Sequence, residues 1–404
     1  MRFGRSRWLL LVGVACLSAS CATTKIVGDN IQRVAKGQPV DTSGLNDAVS
    51  SDAKEAAANL EQLRRKFAEA LAQLRANVQK RWGQGDTKVA DRTVYVKYTQ
   101  GYKSRVITDF DHGVLTVETL DDKDPSGSLK AAIVAALLTS NDPSTVDLFT
   151  DKDVALDPRL SPYLYGLVHD NQGKSIRTRK QAEDFAAYLV ARKAQSRLVS
   201  SEQGSKSARF VRVTMVKNFE AKGADRYRAS VEKYSAQYHV SPSLVLAIMR
   251  TESNFNPFAV SGAPAYGLMQ LVPTSGGREA LKRAQDLDQA RTPEYLFEPE
   301  HSIELGTAYL DVLGNTEFRA VANQASRDYC VIAAYNTGPR NVTRTFARDR
   351  TEALGDINAM EPAVLYDRLK NGLPSEETRQ YVVKVSGYRR QFAGSAAEPA
   401  TAMQ

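Results

Sequence analysis

One carboxylate stands out by its position. Leu244, Ile248 and Glu252 follow one another at four-residue steps, with Val245 and Met249 alongside, so Glu252 continues an apolar helical face. Ser241 and Pro242 suit the start of that helix, as cap and first helical position. Asn254, Asn256 and Pro257 end it just past the carboxyl. Desolvation disfavours the anion there, and so does the partial negative charge of a helix C-terminus. A glutamate so placed holds a proton near neutral pH, as a general acid must. The bland alternative is a glutamate that reaches out to solvent or is satisfied by an arginine such as Arg250. Other polar groups sit at comparable helix ends. Tyr335 and Asn336 close an apolar run at a Gly338-Pro339 turn. Tyr381 lies on a stripe with Val385 and Tyr388, on a helix that starts after Pro374 and Ser375.

The elements that must position these groups fall into two kinds. Residues 43–82 read as one long amphipathic helix, with Leu60, Leu63, Phe67, Leu71, Leu74 and Val78 three or four apart. Residues 93–120 alternate with a period of two around a turn at Asp111-His112-Gly113, and Val211, Val213 and Met215 repeat that pattern in a strand over 208–218. Helical patterns occupy 128–139 and 180–195. From residue 223, with Gly223 as a break, the pattern is helical throughout, including 303–313, 320–335, 361–370 and 376–390. The expected fold class is an α+β N-terminal domain (43–222) followed by an all-α domain (223–394), with a disordered tail over 395–404. His112 and His169 stand alone, and no catalytic constellation appears in residues 43–218.

The N-terminus reads as an address. Arg2, Arg5 and Arg7 precede an apolar run from Trp8 to Cys16, too short to span a bilayer, so residues 1–20 are expected to be a signal peptide. Leu17-Ser18-Ala19-Ser20-Cys21 resembles a bacterial lipobox, with Cys21 acylated and residues 21–42 as a tether. The alternatives are ordinary signal cleavage, or Cys16 as the acylated residue. Anchoring would come from buried acyl methylenes, about 0.8 kcal/mol each. By analogy with bacterial sorting, Ala22 places the anchor in the outer membrane, facing the periplasm. That leaves Cys330 as the other cysteine of the mature chain, without an internal disulfide partner and expected to be a small buried residue.

The 404 residues carry a net charge of +8, or +5 once the three leader arginines are removed, which favours anionic polymers or membrane surfaces. There is no basic run interleaved with aromatics, no zinc-spaced cysteine set and no glycine-rich phosphate loop, which argues against nucleic acid and nucleotide.

Four motifs occur in order: Glu252-Ser253, Gly267-Leu268-Met269-Gln270, Ala334-Tyr335-Asn336 with Gly338, and Glu377-Thr378-Arg379-Gln380-Tyr381-Val382. Together with residues 295–310 they resemble the lytic transglycosylases of bacterial cell-wall turnover, whose catalytic domain is related to goose-type lysozyme. The resemblance covers residues 225–390. It implies a lysozyme-like fold, peptidoglycan glycan strands as partner and no metal or organic cofactor. It also implies Glu252 as sole acid/base at the β-1,4 bond between N-acetylmuramic acid and N-acetylglucosamine. An intramolecular attack by the C6 hydroxyl would then give a 1,6-anhydro end. By the same resemblance Ser253 orients Glu252 or caps the helix, Gly267 lets backbone approach the sugar, and Ser261, Met269, Gln270, Tyr335 and Asn336 line sugar subsites. Leu268 and Met269 could equally be core. Tyr381 supports the carboxyl with a hydrogen bond, and Glu376 and Glu377 stabilise a helix N-terminus. Two departures stand out: Ala263 where relatives often carry serine, and Ser302 where they often carry asparagine.

Overall fold

The computed structural model describes residues 45–201, 204–261 and 265–395. The expected signal peptide, Cys21, the tether, Ala263 and the residues beyond 395 lie outside them. Helix α1 (Leu45–Trp82) leads into strands β1 (Val94–Thr99), β2 (Ser104–Asp109) and β3 (Val114–Thr119), then helices α2 (Pro125–Leu138) and α3 (Arg179–Arg192). Strands β4 (Gln195–Ser201) and β5 (Gly204–Thr214) complete an antiparallel sheet in the order β1-β2-β3-β5-β4. Alternation along β1 explains its two-sided packing. Tyr95 joins the core under α2 and α3, while Val96 and Tyr98 join Leu74, Val78 and Trp82 of α1 on the opposite face.

The remaining chain is helical: α4 (Phe219–Tyr238), α5 (Pro242–Ser253), α6 (Gly276–Gln285), α7 (Pro293–Phe297), α8 (Pro299–Val312), α9 (Gln324–Thr337), α10 (Pro339–Arg344), α11 (Arg350–Ala359), α12 (Pro362–Gly372) and α13 (Glu376–Ser395). The fold class read from sequence, an α+β region followed by a helical one, is the one observed. Cys330 is buried and free, and burial pushes its thiol up to about 12.

Three details differ from the sequence patterns. Gly223 is no break, because α4 runs through it. It marks a close contact instead, since a β-carbon there would stand 3.2 Å from Phe255. The helix expected over 180–195 stops at Arg192, and β4 follows. This strand lies at the sheet edge with Leu198 exposed, so no alternating burial signals it. The strand expected at 208–218 begins earlier and ends at Thr214.

Candidate active site

Helix α5 carries Glu252 one residue before its end, and it packs along α13, which also packs on α9. Those three helices bring together Glu252, Tyr381, Tyr335 and Asn336. The chain leaves α5 through two consecutive left-handed residues, Asn254 (φ 45°) and Phe255 (φ 63°). Such conformations cost energy outside glycine and persist where surroundings enforce them. Here the enforcement comes from the N-terminal domain. Asn254 Nδ2 donates to the Phe110 carbonyl at 2.8 Å and to Asp111 Oδ1 at 3.2 Å. Phe258 packs on Tyr95 and Tyr163, with centroids 4.4 and 5.3 Å away.

Glu252 is 6 % exposed. The Tyr381 hydroxyl donates to its Oε1 at 2.6 Å, and Arg92 Nη1 lies 3.8 Å from Oε2. Burial raises its pKa from the ordinary 4.5 to about 7; the Tyr381 hydrogen bond and the Arg92 charge oppose that rise, and Glu377 adds to it. Arg250, the arginine that sequence offered as a partner, turns away: it pairs with Glu220 at 2.6 Å and stacks on Tyr388. Burial also drives the phenols of Tyr381 and Tyr335 well above their usual range, and the Glu252 charge adds to it, so both remain neutral donors.

A cavity of about 560 Å³ opens beside Glu252. Ser261, Gln270, Tyr335 and Asn336 line it, with Arg92 and Glu377. Asn336 Oδ1 accepts from Thr378 Oγ1 at 2.7 Å, which fixes the amide. Gln270, at φ 48°, donates from Nε2 to the carbonyls of Ala259 and Gly267.

Other motif residues shape the wall from behind. Tyr335 donates its hydroxyl to the Met269 carbonyl at 2.8 Å, bracing the Gly267–Gln270 turn. The Met269 side chain is fully buried and packs over Gly306, so the expectation that it lines the cavity is corrected: an apolar thioether gains more in the core. Gly267 (φ 76°) does need to be glycine, but the close backbone is the protein's own. A β-carbon there would lie 2.1 Å from the Leu296 carbonyl oxygen. Ser302, also close to it, accepts from the Met269 N–H at 3.1 Å. The Ser253 hydroxyl reaches the carbonyls of Met249 and Leu268, at 3.0 and 2.9 Å, and ties the helix end to this turn. Ser241 occupies the cap position of α5, yet its hydroxyl bonds Ser243 rather than the helix backbone.

Sequence reasoning missed Arg92. It precedes β1, 160 residues before Glu252, in a segment with no motif. Glu377, expected only at a helix N-terminus, is indeed in the first turn of α13, and it also lies 3.8 Å from Arg92.

Residues 58–226 match the family model described as membrane-bound lytic murein transglycosylase C, N-terminal domain, and residues 229–357 match the transglycosylase SLT domain. A membrane-bound lytic murein transglycosylase C from Sodalis glossinidius is 41 % identical over 80 % of this chain and 88 % of its own length. Its counterpart from Klebsiella pneumoniae is 42 % identical with the same coverage. The solved lytic transglycosylase Slt of Pseudomonas aeruginosa, an inactive mutant, is 28 % identical over 44 % of this chain and 25 % of its own, with a TM-score of 0.35. Two domain matches in order and identity above two fifths across most of both chains lead to one conclusion: the chain belongs to the membrane-bound lytic murein transglycosylase C family.

Proposed function

We propose that this protein cleaves the β-1,4 bond between N-acetylmuramic acid and N-acetylglucosamine in peptidoglycan without water, leaving 1,6-anhydromuramoyl ends. Glu252 is the acid and then the base. The observation that carries this reading is a buried carboxyl, held by Tyr381 on the wall of an open cavity, with a pKa raised to about 7.

The chemistry follows from that geometry. Tyr381 occupies Oε1, which leaves Oε2 on the side of Arg92. The protonated carboxyl gives its proton to the glycosidic oxygen as the bond to C1 breaks. Positive charge develops at C1, helped by the 2-acetamido oxygen. The carboxylate then accepts the proton of the C6 hydroxyl as that oxygen bonds to C1. The proton count closes, and no water enters. Most glycosidases that use water or a covalent enzyme intermediate employ a second carboxylate; an internal hydroxyl supplies its own effective molarity. Asn336, its oxygen held by Thr378, offers its amide nitrogen to the sugar acetamido and hydroxyl oxygens from the cavity wall, and Gln270 braces that wall through its hydrogen bonds to backbone carbonyls.

A second reading, hydrolysis on the same fold, draws on Glu377, the other carboxylate lining that cavity. Glu377 is 67 % exposed in its side chain and shares Arg92, which favours an electrostatic partner over a water-activating base. Mass spectrometry of products from purified sacculi separates the two. Anhydro ends are one water lighter than reducing ends, and reducing ends from the wild-type chain would defeat the lyase reading.

The anchor belongs to the same proposal. Acylation of Cys21 holds the chain at the outer membrane, facing the periplasm, in keeping with the lipobox-like Leu17–Cys21 and with relatives named membrane-bound. Labelling with a fatty acid should mark the wild-type chain and not Cys21→Ala.

A further inference from the structure

We propose that Arg92, contributed by the N-terminal domain, is a positioning residue for the acid/base step: it shares one positive charge between Glu252 and Glu377 and stabilises Glu252 whenever that carboxyl is anionic. The inference rests on the assignment of Glu252 as acid/base.

Three observations carry it. Arg92 Nη1 stands 3.8 Å from Glu252 Oε2 and 3.8 Å from Glu377 Oε1, midway between the two carboxylates. Arg92 borders the cavity beside Glu252 and two neighbouring cavities, of about 370 and 390 Å³. Its backbone is clamped to the loop that follows the acid. Asn256 Nδ2 donates to the Arg92 carbonyl at 3.2 Å, and the Val260 N–H donates to the Asp91 carbonyl at 3.3 Å. Asp91 Oδ1 in turn accepts from the N–H groups of Thr93 and Val94, both at 2.8 Å, which shapes the turn into β1. The loop that leaves the catalytic helix therefore holds the arginine that faces the acid.

The groups facing Glu252 come from every element around it: Tyr381 and Glu377 from α13, Tyr335 from α9, and Arg92 from the segment before β1. On α5 itself, Arg250 is committed to Glu220. Arg92 is the cation of the set. When Glu252 holds its proton, the guanidinium serves Glu377. When the proton passes to the leaving oxygen, Oε2 gains charge in a buried site and Arg92 offsets it. Charge that appears only as the reaction proceeds, met by a group already in place, lowers the barrier. Because the Arg92 side chain is 41 % exposed, solvent weakens the effect to about tenfold rather than thousands.

The test is kinetics of the full chain on soluble uncrosslinked glycan strands, from about pH 5 to about pH 9, with Arg92→Gln, Arg92→Lys and Glu377→Gln. Arg92→Gln should lower kcat about tenfold with little change in KM, and move the basic limb of kcat/KM upward by about half to one pH unit. Arg92→Lys keeps the charge and should keep the limb near its wild-type position. Glu377→Gln should move the limb downward, because the like charge is gone and Arg92 faces Glu252 alone. An Arg92→Gln limb at the wild-type position overturns the proposal, as does a loss confined to KM or a lysine variant that matches glutamine. Should Arg92→Gln fail to fold, the direction of the Glu377→Gln shift decides. Wild-type product without anhydro ends, or an active Glu252→Gln, would instead bring down the underlying assignment.

Discussion

Among the described residues, each half of the molecule buries one glutamate, and the two end in opposite states. Glu118, on β3, is 3 % exposed. Arg105 Nε donates to its Oε2 at 2.6 Å and Arg197 Nε to its Oε1 at 2.9 Å, while Asp86 shares both arginines. Burial pushes that carboxyl up, but the hydrogen bond from Arg197 and the charges of Arg105 and Arg197 overcome it, and the pKa lies below the ordinary value. Glu252 is buried almost as deeply, and its pKa rises to about 7. Burial is therefore common to both and decides neither. What differs is the company: two guanidiniums in hydrogen-bond contact for Glu118, one phenol and one more distant arginine for Glu252. The first arrangement holds a sheet together; the second leaves a proton available for transfer.

The comparison can be broken most severely at Glu252. Glu252→Gln should reduce release of anhydro-muropeptides by about a thousandfold or more, because general-acid and general-base steps are lost together. The same variant should be more stable than wild type above pH 7. The folded pKa of Glu252 exceeds its unfolded value of 4.5, so the fold binds the proton more tightly, and stability falls as pH rises between about 4.5 and about 7. Removing the group abolishes that loss, a gain of about 2–3 kcal/mol at pH 8, visible as a higher melting temperature. A variant that melts with the wild-type pH profile would mean that Glu252 is ionised at no cost.

Glu118→Gln should act the other way. It leaves the buried Arg105 and the half-buried Arg197 with Asp86 as their remaining carboxylate, and should cost about 3 kcal/mol in denaturant unfolding. The pH dependence of activity in the folded fraction should stay where it is. Because Glu118 titrates below its ordinary value when folded, its contribution is present above the unfolded pKa and lost on acidification, opposite in sign to Glu252.

A smaller change sharpens the Glu252 side. Tyr381→Phe removes the hydrogen bond to Oε1, so the pKa should climb further and the basic limb should shift upward. The rate should fall about tenfold as the carboxyl loses its orientation. The smallest effect is expected at Asp86→Asn, which removes one shared, partly exposed carboxylate from the Arg105–Glu118–Arg197 set and should cost about 1 kcal/mol.

Much of the catalytic half was legible because its signals are local. Four-residue spacing put Glu252 on a buried face, and the Tyr381 stripe put a phenol on a helix that the structure packs beside it. The α+β character of residues 43–222 followed from the switch between periods of three to four and of two. The failures have physical causes as well. β4 is an edge strand with its polar residues in solvent, so it carries no alternation to read. Gly223 looked like a break because glycine weakens helices, yet its missing side chain admits Phe255. Met269 belongs to a motif whose resemblance suggested sugar contacts, and tertiary packing turned its side chain into the core; Tyr335 stays on the cavity wall and gives its hydroxyl to the Met269 carbonyl.

By itself, the order of residues determined where a carboxyl would meet an apolar face and which helix ends would present amides and phenols. Those are consequences of backbone period and side-chain volume within a few turns of chain. The tertiary structure alone decided how that carboxyl is tuned. Electrostatic energy depends on distance through space, and the fold closes 160 residues of chain to set Arg92 3.8 Å from Glu252.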